Sequence, residues 1–379
     1  MRDCFICGAL FSRRLAGMSS VFLIALAGSG CRARGYSRLP GRLDQVEKVR
    51  VSTGLPTHMA ISADSRDLAI GGPNHVAMFT YRTFGDRPPV FRRLWRARLA
   101  RVGALGRREV EKIAFCEHGR LVAVADDSGR VVVFDTRRGG VVRRIRCIKN
   151  GEISGLCGAG DHCLLAAGSG TWAKVIPGPH ARVPRSGVQL WNIRTGRRLA
   201  RIKQPKAAPA AVASFGRRCV LLANSFGGPS RAVLYDWRHV KTLSLRIFSG
   251  SLSALAVGCG GRMICVGGSS KDGLADVRIM SPKTGRITGR WNGAMHRQIV
   301  DIAVDCVEHY VAAITRGQIL ILDAHTLHLV AAKAVPRLFG VVTDDKGDLY
   351  TLDAGGTLRV WSVSALLRRP PAEPRTRRH

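Results

Sequence analysis

The residues of this chain best suited to chemistry are its arginines, and the chemistry they suit is the capture of anions. The stretch "FRRLWRARLARVGALGRR" (91–108) places seven arginines around one tryptophan without a single acid. A guanidinium offers a planar fork of donors that matches phosphate or carboxylate oxygens. An interleaved aromatic ring can stack on a base or settle at a lipid interface. Arg92, Arg93, Trp95, Arg96, Arg98 and Arg101 are therefore candidate partner-binding residues. A second segment, "GTWAKVIPGPHARVPRSG" (170–187), adds Trp172, Lys174, Arg182 and Arg185. A bland reading stands beside each. Arg92, Leu94, Arg96 and Arg98 fit the water-facing positions of an outer strand, and the second segment fits an incidental loop; the sequence leaves both readings open.

The whole composition points the same way. Sixty Lys plus Arg stand against 26 Asp plus Glu, a formal charge of +34 and a pI near 11.2. Such a balance speaks about partners and solubility, with nucleic acid, an anionic membrane surface or an acidic protein or polysaccharide as the counterpart. Arginine outnumbers lysine 49 to 11, so coding bias is a competing source of the excess.

Bond-making chemistry finds no support. The chain has no GxSxG, no HExxH, no phosphate loop opening a helix and no dinucleotide fingerprint. Asp64, Asp126, Asp127, Asp161, Asp344 and Asp345 fall in turn-like stretches, where a carboxylate satisfies nearby backbone amides. His180, His296 and His309 have no partnered spacing. Cys4 and Cys7 form a lone CxxC without a second ligand pair. Cys157 with Cys163 and Cys259 with Cys265 share a six-residue separation, but they sit at different places in the repeat described next. Buried free thiols are the expectation for them. No catalytic residue, metal or cofactor is expected, and no small-molecule substrate is identified.

The N-terminus reads as a targeting segment over residues 1–40. "SRRLAGMSSVFLIALAGSGC" (12–31) has two arginines, a short apolar run and small residues before Cys31, the layout of an export signal ending at a lipid-modifiable cysteine. The acid-free stretch 10–40, with "RGYS" at 34–37, also suits a mitochondrial presequence. The expected location is the cell envelope, with lipidation at Cys31, and the alternative is the mitochondrion.

The elements that would position the arginines show in a repeat. A large residue closes an apolar strand at Phe79, Phe134, Trp191, Tyr235, Met280, Leu322 and Trp361, at intervals of 39 to 57 residues. Upstream of each lies a two-strand unit around a Gly/Asp/Ser turn, as in "MAISADSRDLAIGG" (59–72), "IAFCEHGRLVAVAD" (113–126) and "LAVGCGGRMICVGG" (255–268). Helical periodicity of useful length is missing from 45 to 363. Each unit is thus four strands, and seven units make a radial ring whose sheets bury both faces. The last unit lacks its outer strand, since Pro370 and Pro371 break the chain after Trp361. "QVEKVRVSTG" (45–54) is predicted to supply it over about 45–53 and close the ring.

The patterns "SADSRDLAIGG" and "VQLWNIRTGR", with the aromatic–Asp pairs at 134–135 and 235–236, resemble WD40-type β-propellers. No Gly-His dipeptide occurs, and only Trp191 and Trp361 keep tryptophan at the strand end. The resemblance implies an all-β, seven-bladed propeller of four-stranded antiparallel blades over 41–363, followed by a basic disordered tail at 364–379. It also implies a non-catalytic interaction scaffold with protein partners, to which the charge adds a polyanionic one. A cell-envelope lipoprotein-type scaffold is the alternative, and an enzyme using the central channel is the weakest. In an up-and-down meander the first and third turns of each blade share one face. That face would carry Arg66, Arg120, Arg137, Arg138, Arg194, Arg217, Arg218, Arg262, Lys283 and Arg286.

Overall fold

Strands rich in Val, Ile, Leu and Ala, each bounded by Gly or Asp turns, cannot bury their faces singly and stack radially instead. A computed structural model describes residues 44–50, 58–82, 89–99, 109–148, 151–160, 162–170, 186–203, 207–216, 218–225, 229–236, 241–258, 261–293 and 297–363. These form seven four-stranded antiparallel sheets, and the one helical element among them is a 3-10 turn at Glu117–Gly119. The expected targeting segment, the whole expected tail at 364–379, Cys31, Arg101, Trp172, Lys174, Arg182 and Arg185 lie outside the described residues.

Six blades run from the innermost to the outermost strand in chain order. The last is completed as the sequence predicted: Asp44–Arg50 pairs antiparallel with Thr357–Ser362, from Asp44 opposite Ser362 to Arg50 opposite Thr357. The last blade thereby holds both the first and the last described strand, and Thr357–Ser362 is not left as an open edge. Seven apolar clusters fill the interfaces between neighbouring blades, including one that joins Leu68, Ile70 and Phe79 of blade 1 to Tyr350, Leu352 and Leu358 of blade 7.

Burial explains the two kinds of sequence pattern. Second strands such as Leu121–Asp126 and Tyr310–Thr315 are buried at every position, because another blade covers each face, and they read as continuous apolar runs. Outermost strands such as Val141–Arg146 and Lys241–Phe248 are mostly exposed. The two loop faces are as expected. Thr136 N–H donates to Arg120 O at 3.1 Å and Ile193 N–H to His162 O at 2.8 Å on one face, while Leu99 N–H donates to Asn74 O at 2.9 Å on the other. Asp135, Asn192 and Asp323, which follow the large strand-closing residues, each accept two backbone N–H groups of the following turn.

Candidate anion-binding rim

The outermost strand of blade 1, Val90–Arg98, carries the arginine-rich segment. Arg92, Arg93, Arg96 and Arg98 are exposed and Trp95 is half-buried. A bulge between Met78 and Phe79 skips Leu94, so Phe79 faces Arg93 while Met78 faces Trp95. That slip breaks simple alternation: two successive arginines point outward and the tryptophan turns toward blade 2. Its ring lies 5.6 Å from that of Phe134, and its Nε1–H donates to Thr136 O at 2.7 Å. Gly139, at φ +68°, is the landing pad, because a Cβ there would come within 2.8 Å of the ring. Trp95 therefore bolts blade 1 to blade 2, and one face of its ring is already occupied.

Beside that bolt a notch of about 270 Å³ opens between the two blades. Val132 and Phe134 give it apolar walls, Leu99 closes the blade 1 side, and Arg98, Arg130, Arg144 and Arg146 line it. Arg130 stands directly opposite Arg146 across the strand pair, and Val132 opposite Arg144. None of the four arginines enters an ion pair among the described residues. With Arg143, also exposed, the rim of blades 1 and 2 is a run of guanidiniums on two outermost strands that contain no acid. Blade 7 differs, since its outermost strand includes Asp44 and Glu47.

On the loop face expected to be basic, much of the charge is already matched. Arg194 donates to Glu117 through Nε and Nη2 at 3.0 and 3.2 Å, and His162 Nδ1 meets the same carboxylate. Burial raises the Glu117 carboxyl, but these hydrogen bonds outweigh it and hold the group below its usual range. Arg262 pairs with Glu308 at 3.3 Å, and Arg218 donates to Pro282 O at 2.7 Å. Arg218, Arg262 and Lys283 line a wider hollow of about 820 Å³ between blades 4 and 5. Arg217 lies outside the described residues.

The innermost strands bring together a group that sequence reading missed. Lys112 interacts with Asp301, Glu111 and Glu152, and His58 feels Lys112. Burial pushes the lysine and the histidine down; it lifts Asp301 to about 6 and, with Glu152, Glu111 to about 7. Asp301 is structurally committed: one oxygen accepts Val341 N–H at 2.9 Å, clasping blade 6 to blade 7. Among the described residues no cluster of His, Cys, Asp or Glu could hold a metal.

No family model matches this sequence, and no curated protein matches it. Solved structures do. The WD40 repeats of RRP9 superpose with a TM-score of 0.66 at 15% identity, covering 86% of this chain and 98% of that one. The structure of U3-55K gives 0.66 at 14% identity, with 84% and 98% covered. The fold is that of a WD40-type propeller. At such identities the likeness establishes architecture alone. Within this propeller the notch arginines at 144 and 146 escaped sequence reading, although "VVRRIR" (141–146) is as dense in charge as the segment that drew attention. The signal was there, but only the register shows that they share a face with Arg130. Cys265 is a buried free thiol, as expected, Cys157 is a free thiol only partly buried, and Cys259 lies outside the described residues, whereas Cys306 is disulfide-bonded.

Proposed function

We propose that this WD40-type propeller is a non-catalytic interaction scaffold that holds a polyanionic partner against the outer rim of blades 1 and 2. The carrying observation is the exposure of Arg92, Arg93, Arg96, Arg98, Arg143, Arg144 and Arg146 on two neighbouring strands without an acid. Surface cations whose charge is not matched locally gain most from a partner with regularly spaced negative charge, through release of that partner's counterions. The test is retention on immobilised heparin, single-stranded RNA and DNA as salt rises. Steep salt dependence is expected, with an Arg92→Glu/Arg93→Glu chain eluting at clearly lower salt. Equal elution of the two chains would overturn the reading.

A second reading, a cell-envelope scaffold for protein partners anchored through Cys31, draws on two observations. Cys306 is disulfide-bonded, and disulfides persist in oxidising compartments. Leu243, Leu245 and Ile247, at 40%, 44% and 60% exposure, alternate along the outermost strand of blade 4 and present an apolar edge suited to a protein surface. Mass spectrometry of the mature N-terminus tests the location. A diacylglycerol on Cys31 supports the envelope, and a chain starting at Ser37 supports the mitochondrion.

A further inference from the structure

Blade 5 supplies an internal control for the notch of blade 2. Arg130 stands four residues before Phe134, the large residue closing its strand, just as Asp276 stands four before Met280. In blade 5, Asp276 accepts from Arg278 Nε at 3.0 Å and from Arg290 Nε at 3.3 Å. Arg278, only 8% exposed, lies 4.6 Å over the Phe248 ring. One carboxylate thus bridges the cross-strand arginine pair and offsets part of its charge, and the Arg278 side chain fills the space against blade 4.

Blade 2 reverses both features. At the place of the carboxylate it has Arg130, with Arg146 directly opposite. At the place of Arg278 it has Val132, too short to fill the gap, and the 270 Å³ notch is what remains. Like charges opposite one another on adjacent strands repel. Walls such as Val132 and the buried Phe134 exclude water, which sharpens the repulsion and equally sharpens attraction for an anion.

We infer that the notch is a socket for two or more adjacent phosphoryl groups, which supply the counter-charge that blade 2 leaves out. This rests on the rim reading and makes the socket its anchor point. Arginine forks take phosphate oxygens in pairs. A phosphodiester with one negative charge would leave most of the arginine charge unmatched, whereas a di- or triphosphate chain balances it. The volume lies below the roughly 300–1,000 Å³ of pockets that enclose drug-sized ligands, so the socket takes a compact charged group and leaves any larger body outside.

Calorimetric titration with tripolyphosphate tests this, with orthophosphate and sulfate as comparisons. Tripolyphosphate is expected to bind at least tenfold more tightly than either. Arg130→Asp, which installs the blade 5 arrangement, should weaken it at least thirtyfold while raising the thermal midpoint, and Arg144→Ala should weaken it about tenfold. Lys241→Ala, on the exposed outermost strand of blade 4 and outside both rim and notch, should leave it unchanged. Unaltered tripolyphosphate affinity in folded Arg130→Asp and Arg144→Ala, or no preference over orthophosphate, overturns the socket. If tripolyphosphate fails to bind while salt-sensitive heparin or RNA retention persists, the socket falls and the rim reading stands; loss of both in the unaltered protein removes both. Vesicles bearing a bisphosphorylated lipid headgroup separate the sources once the titration succeeds. Sedimentation that tripolyphosphate displaces assigns the phosphates to a lipid, and none assigns them to a soluble chain.

Discussion

Blades 2 and 5 hold charge in matching columns of the same four-stranded plan and treat it in opposite ways. In blade 5 a buried Asp276 gathers the buried Arg278 and the exposed Arg290, and the Asp276–Arg278 pair is part of the packing. In blade 2 the arginines are uncompensated and line an open notch. The difference teaches how to sort the arginines of a strongly basic protein. Those with a carboxylate in reach hold blades together, and those set against one another beside a cavity await a ligand. Blade 2 contains both kinds, since its loop-face Glu117 is saturated by Arg194 while its rim is bare.

The largest effect should come from opening the closed cluster. Asp276→Ala strands Arg278 in the blade 4–blade 5 interface without a counter-charge, and loss of one partner of a buried pair costs about 3–5 kcal/mol. A large drop in denaturant midpoint is expected; a drop no larger than that of a surface substitution would erase the contrast between the blades. Next comes the bolt beside the notch. Trp95→Ala removes half-buried ring area and the bond to Thr136 O, for about 2 kcal/mol, below the full loss for a core tryptophan. It should also weaken tripolyphosphate binding by loosening Phe134.

Arg130→Asp goes the other way. Replacing a like-charge cross-strand pair with an opposite one should stabilise blade 2 by about 0.2–1 kcal/mol, read as a higher midpoint in the variant that loses phosphate. A variant that loses binding and stability together would mean that Arg130 is structural. The smallest effect is a pH dependence. The Glu117 carboxyl lies below its ordinary 4.5 in the folded state, so its contribution is complete above that value and disappears as pH falls through the lowered one. Comparing midpoints at neutral and acid pH, Glu117→Gln should show a shallower fall than the unaltered protein. An identical fall would show that the Glu117 clip adds nothing.

Much of the architecture was legible because strands buried on both faces read as continuous apolar runs bounded by turn residues. Runs such as "LVAVAD" (121–126) and "YVAAIT" (310–315) show double-sided burial, and the strand missing from the last repeat pointed to about 45–53 as the closing one, where the structure has Asp44–Arg50. The arginine-rich outer strand of blade 1 was equally plain. The direction of Trp95 was not, since it depends on a bulge. Neither was the channel group around Lys112, because its members come from strands far apart in sequence that the ring brings to one axis.

By itself, then, the amino-acid order determined how many sheets form, which residues they bury and how basic the surface is. Tertiary structure alone decided which arginines confront each other. The slip between Val133 and Phe134 places Arg130 opposite Arg146, where an unbulged hairpin would place it opposite Ile145. A one-residue change in register moves every side chain of a strand to the other face, and the bulge that sets it, which recurs at the large strand-closing residue of the first six blades, is a backbone feature that shows only in the folded sheet.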